Sequence, residues 1–356
     1  MPNAMPPEIS RTLRIPYALR RVPEASMKTL LPVPEEPRVG DLAVARVEKI
    51  GKNTNLELAG GRRASLHEGD VIAVVFGNRY ATLQFEGYAR VTGDRCDLLS
   101  MGGLCGLVAS RHDGVAEPSK LRLLGALGDA AGNQLRLRDF AISAGPRDAA
   151  PPLPRIAVVV GTSMDAGKTH TARSVIAGMR RAGIAVGALK LTGSAAGRDT
   201  YTMLDAGAHV ALDFIDGGWP STYLCALEDL LGAFQRLVAY AAAQGTEWLI
   251  VEIADGIVQG ETAALLASAR FRSMVDAWLV AAGDALGAAG AMALLRSHRI
   301  APLAVSGVVS RSDLARREVL AATGVQCISA SALEDGALNA QLTGARHSGS
   351  FRVFAG

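Results

Sequence analysis

The sequence predicts an α/β protein whose C-terminal part is a mostly parallel sheet with helices on both faces, preceded by a small β-rich, barrel-like domain. Two observations lead to this prediction. From residue 155 onward, apolar strand patterns alternate with helical patterns, as in parallel sheets built from β-α-β units. Between residues 41 and 142, short strand patterns follow one another with Gly-rich turns between them, which favours an antiparallel sheet or a small barrel.

The composition indicates a globular chain with neither a nucleic-acid nor a membrane partner. The net charge is only +3 over 356 residues, too small to attract nucleic acid or an anionic membrane. The first forty residues hold prolines and arginines rather than the apolar core of a signal peptide. The longest apolar stretch, residues 278–295, is interrupted by Asp284 and by glycines. We therefore expect a cytoplasmic protein with reduced cysteines.

Four segments are predicted along the chain from its composition and patterning. Prolines concentrate in the first forty residues and again after residue 143, where they disfavour regular sheet pairing. The predicted segments are an irregular Pro-rich arm (1–40), the β-rich domain (41–142), a Pro-rich linker (143–154) and the α/β domain (155–356).

Some individual elements can also be predicted. In the β-rich domain, Leu42–Lys49 and Val71–Phe76 have strand patterns, whereas the Gly-rich residues 101–108 are interpreted as a loop. In the α/β domain, an apolar stripe from residue 224 to 238 predicts a helix that ends near Gly245. Residues 325–328 are predicted as the last strand.

The clearest motif lies between a predicted strand and a predicted helix. Residues 155–160 form a β-branched apolar run, typical of a strand buried on both faces, and residues 172–181 have helical spacing. Between them, Gly167-Lys168-Thr169 stands where a phosphate-binding loop requires it. The first position of the pattern G-x-x-x-x-G-K-[ST] holds Thr162, with Gly161 one residue earlier.

This motif predicts nucleotide binding. Backbone N–H groups and the helix dipole would hold the phosphates, the Lys168 ammonium would reach the β- and γ-phosphate oxygens, and the Thr169 hydroxyl would bind Mg²⁺. The alternative is an ordinary turn with an exposed lysine. The expected cofactors are ATP, with GTP possible, and Mg²⁺. The predicted nucleotide-contacting residues are Gly161, Thr162, Ser163, Ala166, Gly167, Lys168, Thr169 and His170.

Further polar side chains follow predicted strands, where parallel sheets bind ligands. Glu252 is predicted as a Mg²⁺ ligand with Thr169, with Asp255 as the runner-up and a surface acid as the alternative. Beyond residue 120 the only lysines are Lys168 and Lys190, and both follow strands. A carboxylate inside the loop repels phosphate unless a cation offsets it, so Asp165 is assigned a catalytic role together with these two lysines.

A polar loop after the second strand of this domain is the candidate substrate site. We expect Ser194, Arg198 and Asp199 to contact the substrate, although loops this polar are often only solvated. Asp313 is a candidate for reading the nucleotide base, because an aspartate accepts hydrogen bonds from guanine N1 and N2. It is equally well placed to cap the helix that follows.

Several of these segments resemble dethiobiotin synthetase. Residues 161–169 resemble its phosphate loop, residues 190–194 are similar to its Lys-x-x-x-Ser, and residues 251–256 resemble its Val-Glu-Gly-Ala-Gly-Gly. The resemblance covers about residues 155–335 and implies a P-loop NTPase in which ATP phosphorylates a carboxylate or carbamate. Ser163 stands where that family has an aspartate, and the first 150 residues have no counterpart there.

A second resemblance leaves two functions open. Residues 197–208 are similar to the Gly-Lys-Asp-Ser-Tyr and Ala-Gly-Ala segments of the GTP-binding adapter of molybdopterin guanine dinucleotide synthesis. The first hypothesis is a Mg²⁺-dependent enzyme that phosphorylates a small carboxylate, carbamate or hydroxyl acceptor. The alternative is a nucleotide-binding adapter or switch whose β-rich domain docks a partner. Relatives of this fold complete their sites across a subunit interface, which implies a possible homodimer.

Overall fold

The computed structural model describes residues 3–143 and 151–344, and the chain divides into two compact units. The first unit comprises the residues up to Ile142 together with two later segments, Gly193–Arg198 and Phe214–Leu224. The second unit comprises the remaining residues. Both later segments fall inside the range that the sequence assigns to the α/β domain. Residues 144–150 of the predicted linker, and the last twelve residues of the chain, lie outside the described part.

The first unit is mainly β-structure. The predicted arm contributes the helix α1 (Pro7–Thr12), the 3₁₀ turns Tyr17–Leu19 and Glu24–Ser26, and two short strands; a further 3₁₀ turn is Leu137–Phe140. The strands are β1 (Asn3–Ala4), β2 (Thr29–Leu31), β3 (Leu42–Lys49), β4 (Asn55–Glu57), β5 (Arg63–Ser65), β6 (Val71–Phe76), β7 (Phe85–Tyr88), β8 (Arg95–Leu98), β9 (Leu104–Arg111) and β10 (Ser119–Gly128).

Five of these strands close into a circuit. β10 pairs with β3, β3 with β6, β6 with β9, β9 with β8, and β8 again with β10. The side chains that fill this sheet include Ile72, Val74, Phe76, Leu98 and Leu121, all fully buried. A closed circuit leaves few unpaired backbone groups at strand edges, and it surrounds one apolar core.

Strand β9 corrects one prediction. The Gly-rich residues 101–108 were expected to form a loop, but most of them belong to β9. A Cβ atom at Gly106 would lie 2.1 Å from the carbonyl oxygen of Tyr88 on β7. The glycine therefore permits a close approach of two paired strands instead of marking a turn.

The second unit alternates strands and helices. Its helices are α2 (Lys168–Arg181), α3 (Arg198–Asp205, whose first residue belongs to the first unit), α4 (Leu227–Ala243), α5 (Gly260–Ala267), α6 (Ala269–Arg272), α7 (Ala285–Ser297), α8 (Asp313–Thr323), α9 (Ala330–Glu334) and α10 (Asn339–Gly344). Its strands are β11 (Arg155–Gly161), β12 (Val186–Lys190), β13 (Ala211–Asp213), β14 (Trp248–Glu252), β15 (Ala277–Ala281) and β16 (Ala304–Ser306).

These six strands form one sheet in the order β13-β12-β14-β11-β15-β16, and all neighbours are parallel. On one face, Val159 packs in a cluster with Ile176 of α2 and Leu333 of α9. On the other face, the ring centres of Trp278 and of Phe271 on α6 lie 6.0 Å apart. The predicted parallel sheet with helices on both faces is thus confirmed.

The strand predicted at residues 325–328 is wrong. The structure has a single bridge there, between Val305 and Cys327, and the strand on which this bridge forms, β16, has only three residues. Within the described part of the chain, no helix is both long and apolar enough to cross a membrane.

The parallel register brings three polar residues to the same edge of the sheet. Lys190, the last residue of β12, pairs with Glu252 of β14 on one side and with Asp213 of β13 on the other. The carboxyl ends of β13, β12 and β14 therefore present one buried lysine between two carboxylates.

Helix packing generates a first prediction. A Cβ atom at Gly178, in the interior of α2, would lie 2.2 Å from the carbonyl oxygen of Leu333. We expect Gly178→Ala to destabilise the protein by about 1–3 kcal/mol, because two backbones must separate. Gly290→Ala in α7 is the matched control: nothing lies within 4 Å of its Cβ position, so the helix should gain up to about 1 kcal/mol. Chemical denaturation measures both, and equal effects of the two changes would contradict the packing argument.

Candidate nucleotide-binding site

The loop between β11 and α2 has a backbone that only small residues permit. A Cβ atom at Gly161 would lie 2.6 Å from Cγ of Lys168, and one at Gly167 would lie 2.9 Å from Cα of Gly307. Gly167 also has a φ of 97°, in the left-handed region that favours glycine. Asp165 takes a positive φ of 61° as well. The loop is therefore a constrained turn at the N-terminus of a fourteen-residue helix.

Backbone hydrogen bonds fix this loop to three neighbouring segments. The Thr162 N–H donates to the carbonyl of Ala281 (3.0 Å) at the end of β15, and the Val308 N–H donates to Ala166 (3.0 Å). The Ile257 N–H, after β14, donates to Gly161 (2.9 Å). The loop is consequently held in shape by the protein itself, as a preformed phosphate site requires.

Lys168 is buried, and its Nζ donates a hydrogen bond to the carbonyl oxygen of Ser163 in the loop (2.8 Å). Burial lowers the pKa of Lys168, while the carboxylates of Glu252 and Asp255 act in the opposite direction. The ammonium thus lies inside the curve of the loop with a backbone carbonyl as its neighbour.

Thr169 and Glu252 meet beside the loop. The Thr169 hydroxyl donates to Oε1 of Glu252 (3.0 Å), and the Glu252 side chain is buried. The other carboxylate oxygen, Oε2, is buried and accepts no hydrogen bond from any residue that the structure describes. Burial raises the pKa of Glu252, and the ammonium groups of Lys190 and Lys168 oppose this. An oxygen without a partner next to a hydroxyl is a suitable ligand pair for a small hard cation.

Lys190 and Asp199 form a largely buried ion pair. Burial by itself would lower the pKa of Lys190, but the carboxylates of Asp199, Glu252 and Asp213 outweigh it and hold the pKa above its usual value. Lys190 is therefore a fixed positive charge at neutral pH. Lys168 is close enough that the two ammonium groups influence each other's environment.

Beside the loop lies a cavity of about 360 Å³. Its lining joins the start of α2 to the segments after β16 and before α9, and it is polar, with two arginines and three serines. The lining residues are Gly167, His170, Gly307, Val308, Ser310, Arg311, Arg316, Ser329, Ala330 and Ser331. Burial and the nearby Arg173 and Arg311 lower the pKa of His170, which favours a neutral imidazole.

Asp313 is not among the residues that line this cavity. Its carboxylate pairs with Arg316, three residues later on α8, and its side chain is largely exposed. Ser312, not Asp313, caps α8, because its hydroxyl accepts from the Ala315 N–H. The structure thus brings Arg316, rather than Asp313, to the cavity.

The structure divides the remaining predicted residues between the two units. Asp165 is exposed in the loop, and burial lowers the pKa of Lys168 although the charge of Asp165 weakly opposes this. Asp199 lies in the second unit with Lys190, whereas Ser194 and Arg198 belong to the first unit. Asp213 was not predicted, although a carboxylate after the apolar residues of β13 repeats the pattern that identified Glu252.

Comparison with known proteins identifies no family. No protein-family model matches the chain, and no curated protein matches it. A GDP complex of the signal recognition particle 54 kDa protein from Aeropyrum pernix K1 is 22% identical, with a TM-score of 0.33, over 58% of this chain and 49% of that one. A DUF1611 family protein from Anabaena variabilis is 14% identical, with a TM-score of 0.37, over 54% and 57%. The chain thus matches about half the length of each.

The buried charges generate a second prediction. Lys190→Met removes the ammonium that neutralises Asp199, Glu252 and Asp213, so we expect the free energy of unfolding to fall by about 3–5 kcal/mol. The control is Arg122→Met, which removes an exposed cation paired with Asp94 and should change stability by less than about 1 kcal/mol. Denaturant titration at pH 7 measures both. A Lys190→Met protein as stable as the control would contradict the buried charge cluster.

Proposed function

We propose that the second unit binds a nucleoside triphosphate with Mg²⁺ and transfers its γ-phosphoryl group to a small carboxylate, carbamate or hydroxyl acceptor. The observation that carries this proposal is the convergence of Lys168, Thr169, Glu252 and Lys190 at one sheet edge, beside a glycine-dependent loop that begins a helix. Phosphate binding at a helix N-terminus needs such a loop and a nearby cation.

The donor groups fit Mg²⁺ better than a metal held by protein side chains alone. Among residues 3–143 and 151–344, no group of three His, Cys, Asp or Glu side chains is arranged to hold a metal ion. Mg²⁺ commonly takes one or two protein oxygens and completes its shell with phosphates and water. Thr169 and the unpartnered Oε2 of Glu252 would supply the protein oxygens. When bound, Mg²⁺ would neutralise charge on the phosphates.

The two lysines have different roles in this proposal. When a ligand binds, the Lys168 ammonium would give up its hydrogen bond to the Ser163 carbonyl and bind phosphate oxygens instead. The net loss of hydrogen bonds at the loop would therefore be small. Lys190 keeps its charge at neutral pH and would stabilise negative charge on the γ-phosphoryl group or on the acceptor. Because both ammonium groups are buried, water screens their charges weakly.

The cavity next to Gly167 and His170 is where the nucleoside would lie. Its arginine guanidinium groups can stack on a base, and the serine hydroxyls both donate and accept hydrogen bonds. This lining suits either purine, so both ATP and GTP are retained as the nucleotide. The exposed Asp165 and the pair formed by Lys190 and Asp199 would face the acceptor side.

The third prediction tests nucleotide binding. Saturating Mg²⁺–ATP or Mg²⁺–GTP should raise the unfolding midpoint, and a ligand at 100 times its Kd stabilises the folded state by about 2.7 kcal/mol. Lys168→Ala should weaken the binding of the preferred triphosphate about 10- to 100-fold, since a charge-assisted hydrogen bond is lost. Glu252→Gln should weaken the dependence on Mg²⁺. Thermal unfolding and calorimetric titration measure these effects.

The matched control for this experiment is Lys49→Ala. Lys49 is an exposed lysine at the end of β3 in the first unit, and its removal should leave the nucleotide affinity unchanged. If Lys168→Ala binds triphosphate as tightly as the unchanged protein does, the proposed nucleotide site is wrong.

The fourth prediction separates the enzyme from an adapter. Without an acceptor, the protein should release ADP or GDP slowly. Addition of the right acceptor, from a panel of small carboxylates, amines and alcohols, should accelerate this release at least about tenfold. A tenfold acceleration corresponds to lowering the activation free energy by roughly 1.4 kcal/mol. Lys190→Met should lose this acceleration and retain nucleotide binding. If no member of the panel accelerates release, phosphorylation of a small acceptor is contradicted and a nucleotide-gated adapter is favoured.

A further inference from the structure

We propose that the first unit positions residues 199–213, and that Glu57 is a positioning residue for the reaction. The proposal rests on the function proposed above, because it concerns Asp199 and Asp213, two of the three carboxylates around Lys190. Asp199 and Asp213 are the first and last residues of this stretch of the second unit. Each is covalently joined to a segment that belongs to the first unit.

The segment before Asp199 is fixed within the first unit. Glu57 of β4 is buried, and its Oε2 accepts a hydrogen bond from the Gly197 N–H (2.8 Å). The Ser100 hydroxyl donates to the carbonyl of Ala195 (2.9 Å). A Cβ atom at Gly102 would lie 2.3 Å from that same carbonyl oxygen. A buried carboxylate and a buried hydroxyl thus hold the backbone of Gly197 and Ala195, and Gly102 leaves room for the Ala195 carbonyl.

The segment after Asp213 is fixed within the first unit as well. Asp216 forms an ion pair with Arg20 (2.6 Å) and a second, longer one with Arg21 (3.4 Å). The Ile142 N–H donates to the backbone carbonyl of Asp216 (2.8 Å). Asp216 is buried and Arg20 is mostly so, so water screens this pair less than it screens a surface ion pair, whereas Arg21 is partly exposed.

The two segments also bind each other. The Thr222 N–H donates to the Gly193 carbonyl (2.9 Å), and the Gly193 N–H donates to the Thr222 hydroxyl (2.9 Å). Ser194 and Ser221 form a further backbone bridge. The segments before and after residues 199–213 both belong to the first unit, and they are hydrogen-bonded to each other.

This arrangement gives the first unit a role in the chemistry. Asp199 is the direct partner of Lys190, and it lies two residues beyond Gly197, whose backbone N–H is held by Glu57. A displacement of about 1 Å at a reacting group lowers rates by about 100-fold. Glu57 acts only through backbone position, so its loss should change turnover more than nucleotide affinity, which depends on the loop around Lys168.

The test compares Glu57→Ala with Glu57→Gln. The amide oxygen of glutamine can still accept from the Gly197 N–H, whereas alanine cannot. We expect Glu57→Ala to lower kcat for Mg²⁺–ATP hydrolysis by about 10- to 100-fold with the Kd for Mg²⁺–ATP within about twofold of the unchanged protein. Glu57→Gln should restore most of the lost kcat. The control is Glu48→Ala, because Glu48 on β3 pairs with the exposed Arg95 and touches neither later segment.

Hydrogen exchange supplies a readout besides activity. Amides of residues 195–203 should exchange faster in Glu57→Ala than in Glu57→Gln or Glu48→Ala, while those of α2 should not change. Should Glu57→Ala fail to fold, Ser100→Ala removes the neighbouring hydrogen bond and should give the same pattern with a smaller effect.

Equal kcat in Glu57→Ala and the unchanged protein, or unchanged exchange at residues 195–203, would overturn the positioning role. A uniform loss of kcat, affinity and melting temperature that glutamine does not rescue would overturn it too, since it indicates general destabilisation. If the unchanged protein binds Mg²⁺–GTP and not Mg²⁺–ATP, kcat and Kd are measured with GTP. If it binds neither, the proposed function fails instead, and the exchange experiment still decides whether Glu57 holds the segment.

Discussion

The interaction on which the second unit depends is the burial of the Lys190 ammonium among carboxylates. An isolated buried charge costs several kcal/mol, so this lysine is tolerable only because the register of three parallel strands sets Glu252 and Asp213 on either side of it and α3 adds Asp199. A slip of one residue in β12 would point the side chain to the opposite face of the sheet. The three carboxylates therefore surround the ammonium only in this strand register, and their attraction to the ammonium stabilises this register over others.

The strands that end at this edge also hold the loop between β11 and α2. The loop is bonded to segments that follow β14, β15 and β16, so its shape is set by the strands that carry the polar residues. The absence of a side chain at Gly161 leaves room for the Lys168 side chain, and the absence of one at Gly167 allows the backbone of Gly307 to approach closely. The Lys168 ammonium and the loop backbone are consequently already arranged in the structure, so the phosphate binding proposed here would require little reorganisation.

Sequence patterns predicted the second unit better than the first. Apolar runs and Gly167-Lys168-Thr169 located the parallel sheet and the loop, because these are local signals with fixed periods. They did not locate β9, where glycine serves a close contact between strands and not a turn. Nor could they assign residues 193–198 to the first unit, since the hydrogen bond between Gly197 and Glu57 joins positions 140 residues apart. Such pairings leave no periodic trace in the sequence.

After Ile142 the chain returns to the first unit twice, and only short elements lie between the two returns. Helix α3 has eight residues and β13 has three, and isolated elements of that length are marginal in water. Fixing one end of residues 199–213 would leave the other end free to fray, with the carboxylate at that end displaced. Fixing both ends closes a loop, and the entropy of closure grows only slowly with loop length.

Asp199 and Asp213 are the residues nearest the two fixed ends, so they are the positions in this stretch whose displacement is most restricted. That places the tightest constraint on the carboxylates nearest Lys190, which is the physical basis of the positioning role proposed for Glu57.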